Sequence, residues 1–123
     1  IWCVASLKDV QKNLRSINYP IENMVFIEGK VENTLPGSVP IEGIALLRLD
    51  TDWYESTRYE LIHLFPRLVL NGVIIIDDYG HWEGCKKAVD EYLQTNHINI
   101  LLNRIDYTCR VEIKTSANIP TVD

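Results

Sequence analysis

Cysteine is scarce in this chain and builds no framework. Cys3, Cys85 and Cys109 are odd in number and widely spaced, with no Cys-x-x-Cys pair. That excludes a disulfide scaffold or a four-cysteine zinc centre and reads as reduced thiols in a cytoplasmic protein. Positive charge is also short. Twelve basic residues face seventeen acidic ones, a net charge of −5, and no basic run exceeds Lys86-Lys87. A nucleic-acid surface, which needs clustered Lys and Arg, is not expected. No apolar run approaches the roughly 20 residues that span a bilayer, so no membrane partner is expected. The opening Ile1-Trp2-Cys3-Val4-Ala5-Ser6 lacks the basic leader of a signal peptide. It also lacks an initiator Met, which suggests a start partway through something longer. Gly29, Gly37, Gly43, Gly72, Gly80 and Gly84 form no glycine-rich loop after a strand. With no P-loop and no nucleophile elbow, nucleotide-triphosphate or serine-hydrolase chemistry has nothing to stand on.

What is there suits one globular domain over residues 1–123, because 123 residues with 46% apolar content can enclose a single core. Ser6 and Asp9 have the spacing of a capping box, followed by Leu7, Val10, Leu14 and Ile17 at helical intervals up to Tyr19-Pro20. Asn23 to Gly29 reads as a strand, Lys30 to Leu35 as a helical turn, and Pro36-Gly37-Ser38 with Pro40 as a loop. Ile41 to Asp50 reads as a strand. Ser56 is placed to cap a helix with Leu61, Ile62, Leu64, Phe65 and Leu68 on its buried side, ended by Pro66. Asn71-Gly72 reads as a turn into a strand over Val73–Ile76. Cys85, Ala88, Val89, Tyr92 and Leu93 mark a helix over about Trp82 to Thr95. Ile98–Leu102 and Arg110–Lys114 read as an antiparallel pair joined through Asn103 to Thr108, and the tail from Thr115 as irregular. Strands alternating with helices and then a terminal strand pair predict an α/β fold with a mostly parallel sheet.

Two stretches carry chemistry. Ile44–Leu49 and Val73–Ile76 are unbroken apolar runs, the pattern of strands buried on both faces, and each ends abruptly in aspartates. Ligand chemistry in open α/β sheets collects beyond the carboxyl ends of such strands. Adjacent strands would deliver Asp50, Asp52, Asp77 and Asp78 to one edge, a hard-oxygen set suited to Mg²⁺ or a similar cation. Aspartates also favour strand ends and helix caps, and a lone Asp-x-Asp would mean no more than that. Two such strands in one chain strengthen the metal reading, and the family resemblance given below turns the balance to it. Trp53, Tyr54, Tyr79 and Trp82 flank it and are candidates for lining a substrate pocket, with core packing as the alternative; His81 is a candidate for touching substrate or metal, with a solvated loop histidine as the alternative. Arg48 within a strand reads as an ion-pair partner, and Cys85 as a small core residue.

Leu-Arg-Leu-Asp-Thr-Asp-Trp-Tyr-Glu-Ser-Thr (47–57), Leu-Phe-Pro-Arg-Leu (64–68) and Ile-Ile-Asp-Asp-Tyr-Gly-His-Trp (75–82) resemble the macrocin O-methyltransferase family. So do Ala-Ser-Leu-Lys-Asp-Val (5–10), Lys-Ala-Val-Asp-Glu-Tyr (87–92) and Leu-Leu-Asn-Arg-Ile-Asp-Tyr-Thr (101–108). The resemblance implies methylation of a sugar hydroxyl on an antibiotic, with S-adenosylmethionine and a divalent cation. It implies Asp50, Asp77 and Asp78 as metal ligands and Asp52 as the general base. It also implies a partial Rossmann-like methyltransferase sheet that lacks its first two strands, because family members are about twice as long and the missing half carries the cofactor loop. Those strands would lie between the Val25–Gly29 strand and the Ile44–Asp50 strand. The gap is expected either to close or to leave an edge that pairs with a second copy, so a homodimer is expected. Two functions stay open: a truncated sugar O-methyltransferase, or a noncatalytic remnant of that fold serving as a dimeric interaction module.

Overall fold

A computed structural model describes residues 4–38 and 43–118; Cys3, Pro40 and Ile41 lie outside them. Helix α1 (Leu7–Arg15) opens on the expected capping box: the Asp9 amide donates to Ser6 Oγ at 3.2 Å and the Ser6 amide to Asp9 Oδ2 at 3.3 Å. It is amphipathic yet buries no residue.

The segment after α1 departs from expectation. A 3₁₀ turn at Ile21–Asn23 leads into residues 24–28, which form no strand. Val25 is 80% exposed. A run of strand-forming residues needs a neighbouring ladder to become a strand, and none of the described strands adjoins it. Helix α2 (Val31–Ser38) is longer than the single turn expected and carries Pro36 in its last turn.

The ordered centre is a βαβ unit. Strand β1 (Ile44–Leu49), helix α3 (Tyr54–Leu64) and strand β2 (Leu68–Ile76) place β1 and β2 side by side and parallel, with Leu49 opposite Ile76. Helix α4 (Glu83–Thr95) follows, and then the short strands β3 (Asn103–Arg104) and β4 (Arg110–Ile113). The sheet order is β1-β2-β4-β3. Among the described residues only the first pair is parallel, so the sheet is mixed, not mostly parallel.

Leu47, Leu49, Ile74 and Ile76 pack against Leu61 of α3, Phe65 in the 3₁₀ turn just after it, and Cys85 and Val89 of α4, forming one core. The opposite face is open: Leu46 is 59% exposed, and Arg48 is exposed beside it. Among the described residues the unbroken apolar runs therefore do not mark strands buried on both sides; α3 and α4 both lie on one face.

Four local readings also change. Asn71-Gly72 lies inside β2, not before it. Asn71 takes a left-handed φ of 67°, and the register against β1 shifts between Ile44 and Leu46. The main chain there is tied to Lys114, whose carbonyl accepts from the Asn71 amide at 2.7 Å and whose amide donates to Gly72 O at 2.9 Å. Ser56 does not cap α3; Trp53 occupies that position, and Ser56 Oγ donates back to Thr51 O and Trp53 O, both at 3.3 Å. Ile98–Leu102 forms no strand. Its alternate residues Ile98, Ile100 and Leu102 instead cover the core, and β4 finds its partners in β2 and in Asn103–Arg104. Ile62, expected on the buried side of α3, is 40% exposed.

Candidate metal centre

The parallel register decides where the acids go. Leu49 and Ile76 are paired, and the Asp77 amide donates to Leu49 O at 3.0 Å, which extends the ladder one step beyond the strands. Both strands then turn at the same edge, β1 into α3 and β2 into α4, and both helices return along the same face. The first turn is tight: the Trp53 amide donates to Thr51 O at 2.7 Å, and Asp52 has a φ of 64°. In the second turn, Asp78 O accepts from the amides of His81 and Trp82.

Carboxylate oxygens of Asp50, Asp52 and Asp78 lie within 4.8 Å of one another. Asp78 is buried, and its Oδ2 has no hydrogen-bond partner. An unpaired buried carboxylate oxygen beside two further carboxylates calls for a proton or a cation. Burial, followed by a hydrogen bond with Asp52, pushes the Asp78 carboxyl up to about 6. Burial and then the neighbouring Asp77 also raise Asp50, against the pull of Arg48. Three hard oxygen ligands with an orphaned acceptor fit a Mg²⁺-like cation.

Asp77 stands apart from this trio. Arg48 Nη2 bridges it, at 3.0 Å from Asp77 Oδ1 and 2.9 Å from Asp50 Oδ2. The hydrogen bond to Asp77 and the charge of Asp50 raise the guanidinium further above its ordinary value. Arg48 is thus the ion-pair partner its position in a strand requires.

Beneath the trio lies Glu60, 6% exposed on α3, which accepts from Thr51 Oγ1 at 2.9 Å. Burial drives its carboxyl up to about 7, partly offset by the Thr51 hydroxyl.

The sequence pattern of the Macrocin-O-methyltransferase (TylF) family matches residues 3–112. The chain belongs to that family. Among the relatives of this TylF-family chain is demethyldecarbamoylnovobiocin O-methyltransferase of Streptomyces niveus. It is 41% identical over 87 residues, covering 71% of this chain and 33% of that protein. Mycinamicin III 3''-O-methyltransferase of Micromonospora griseorubida is 37% identical, over 82% of this chain and 39% of the relative. The solved structure of the O-methyltransferase NovP superposes with a TM-score of 0.84 at 37% identity, covering 89% of this chain and 45% of NovP. The chain therefore spans a third to just under half of the relatives it matches.

Of the aromatic residues expected to line a pocket, Tyr54 and Tyr79 are engaged by α4. Their hydroxyls donate to Glu91 Oε2 at 2.5 Å and to Asp90 Oδ1 at 2.7 Å. Trp53 and His81 belong instead to a row, with Trp53 5.6 Å from Trp82, Trp82 4.8 Å from His81, and His81 5.8 Å from Tyr107 between ring centroids. Thr51, Glu60 and Tyr107 had no distinguishing signal in the sequence. A glutamate at a helical spacing and a tyrosine in a polar loop look like solvated residues until the fold brings them to the site.

Proposed function

We propose that this chain is the cation-holding part of a sugar O-methyltransferase, acting on a sugar hydroxyl of a small-molecule acceptor. The observation that carries the reading is the Asp50, Asp52 and Asp78 cluster with its orphaned Asp78 oxygen, at the strand edge of a TylF-family chain. Asp50 and Asp78 would hold Mg²⁺ or a similar divalent cation. Asp77, from the same motif, reaches it by giving up Arg48. When bound, such a cation supplies Lewis-acid stabilisation of an ionising hydroxyl. Asp52 would take the proton of that hydroxyl as general base, a role supported by its carboxylate lying within 4.8 Å of those of Asp50 and Asp78. Trp53 and His81 offer apolar and polar surface at the mouth for the sugar.

S-adenosylmethionine is the methyl donor this reading implies. Among the described residues no glycine-rich turn follows a strand, so they provide no seat for it. The second reading is a noncatalytic remnant of the fold that pairs as a dimer through the edge of β1, which borders the described sheet. Calorimetric titration with S-adenosylmethionine, with and without Mg²⁺, separates the two when the mass in solution is recorded alongside. The enzyme reading predicts cofactor binding and Mg²⁺-dependent methylation of a sugar acceptor. A well-folded chain that binds Mg²⁺ but not the cofactor would make it a remnant.

A further inference from the structure

We propose that Glu60 and Thr51 form a buried brace that positions Asp52, and with it the carboxylate trio, for cation and substrate. The brace builds on the cation-site reading above but concerns Thr51, which stands between two of the aspartates, and Glu60, which lies outside the acidic motifs.

Asp52 adopts a φ of 64°, a left-handed conformation that a non-glycine residue keeps only when its surroundings hold it there. Three contacts do so, and all three run through Thr51 or its neighbour. The Trp53 amide closes onto Thr51 O at 2.7 Å. Ser56 Oγ, 5% exposed, reaches Thr51 O and Trp53 O. Thr51 Oγ1 donates to Glu60 Oε2 at 2.9 Å. This last contact is the only one of the three that ties the turn to the second turn of α3, and through Leu61 to the core. The other two lie within the turn and the first turn of the helix, so they can move with it.

A carboxylate is a costly group to bury, and on α3 a leucine at this position would pack against the core more cheaply. Asp50, Glu32 and Asp78 all face Glu60 with like charge, which adds to the cost. What the residue gains in return is one geometrically fixed acceptor for the Thr51 hydroxyl. Thr51 lies in the chain between Asp50 and Asp52, so fixing it fixes the backbone that carries both, and loss of a support outside the ligand shell typically weakens metal binding by about 10–100-fold.

The test uses Mn²⁺ as probe, with affinity measured by electron paramagnetic resonance and hydrogen exchange followed at the Trp53 amide. Thr51→Val, which is isosteric, and Glu60→Ala are expected each to weaken Mn²⁺ binding about tenfold. The double variant is expected to be no weaker than the worse single, because both remove one contact. Thr51→Ser and Glu60→Gln keep a hydroxyl donor and a carbonyl acceptor, so both are expected to stay within about twofold of the parent chain. Trp53 exchange should accelerate in the first two variants and not in the conservative pair. A role in stability alone would lower the melting temperature and leave Mn²⁺ affinity unmoved. A parent chain that binds no Mn²⁺ sinks the cation-site reading; Trp53 exchange then decides the brace by itself. Folded Thr51→Val with parental Mn²⁺ affinity, or with unchanged Trp53 exchange, overturns the brace.

Discussion

At the scale of single residues, Glu60 and Lys114 show what burial does to charge in this chain. Lys114 is 6% exposed and donates from Nζ to Phe65 O at 3.1 Å and Leu68 O at 2.6 Å. Burial lowers its pKa. The ammonium thus satisfies two carbonyls at the junction of α3 and β2, while its main chain fixes the irregular stretch at Asn71-Gly72. Lys114→Met keeps the aliphatic stem and removes both donors, and is expected to cost about 2 kcal/mol in urea unfolding. A midpoint equal to the parent's would show that the carbonyls need no donor. For Glu60, the folded carboxyl titrates at about 7 against an ordinary value of 4.5. Below that ordinary value both states are protonated. Between the two values only the folded state keeps the proton, so stability falls as pH rises through this window and levels off above about 7. The loss is at most on the order of 3 kcal/mol. Asp78, at about 6, adds to it over the lower part of the range. The metal-free parent should therefore lose stability from pH 5 to pH 7.5 more steeply than Glu60→Gln, which cannot titrate. Equal slopes would contradict the burial of an ionisable Glu60.

At the scale of elements, Gly80 joins the site to the far end of the sheet. Its amide donates to Thr108 O at 2.9 Å, and a Cβ there would run into the carbonyl oxygen of Tyr107. Backbone cannot yield as a side chain can, so Gly80→Ala is expected to push the β3–β4 loop away and cost about 1–3 kcal/mol. Loss of the His81–Tyr107 ring contact should be visible in the ring-current shifts of Tyr107. An unperturbed Tyr107 would contradict the packing described. How legible such elements were depended on what decides them. The capping box of α1, the helical spacing in α4 and the two acid-ended strands are local, and the sequence carried them. Val25–Gly29 and Ile98–Leu102 have the residues of strands but no ladder beside them, because pairing is a property of the neighbour. Asn71-Gly72 has the composition of a turn and becomes an irregularity within β2, because Lys114 binds its backbone. The acidic cluster was legible as four aspartates. That Asp50, Asp52 and Asp78 would cluster, with Arg48 bridging Asp50 to Asp77 outside the trio, depended on side-chain directions that spacing does not contain.

At the scale of the whole molecule, the chain has a βαβ unit with α3 and α4 on one face, and β1 borders the described sheet. Among the described residues no helix is long and apolar enough to cross a membrane. The Macrocin-O-methyltransferase (TylF) pattern runs through 3–112, while the relatives extend over two to three times the matched length. The unit that is present concentrates its negative charge at the strand ends, and the account rests on that charge being there for a cation. The direct measurement is calorimetric titration of the chain with Mg²⁺ at pH 7.5, set beside Asp50→Ala and Asp78→Ala. The account predicts binding by the parent that either substitution weakens at least about tenfold. Affinity unchanged in both variants, or no binding by a folded parent, would contradict it.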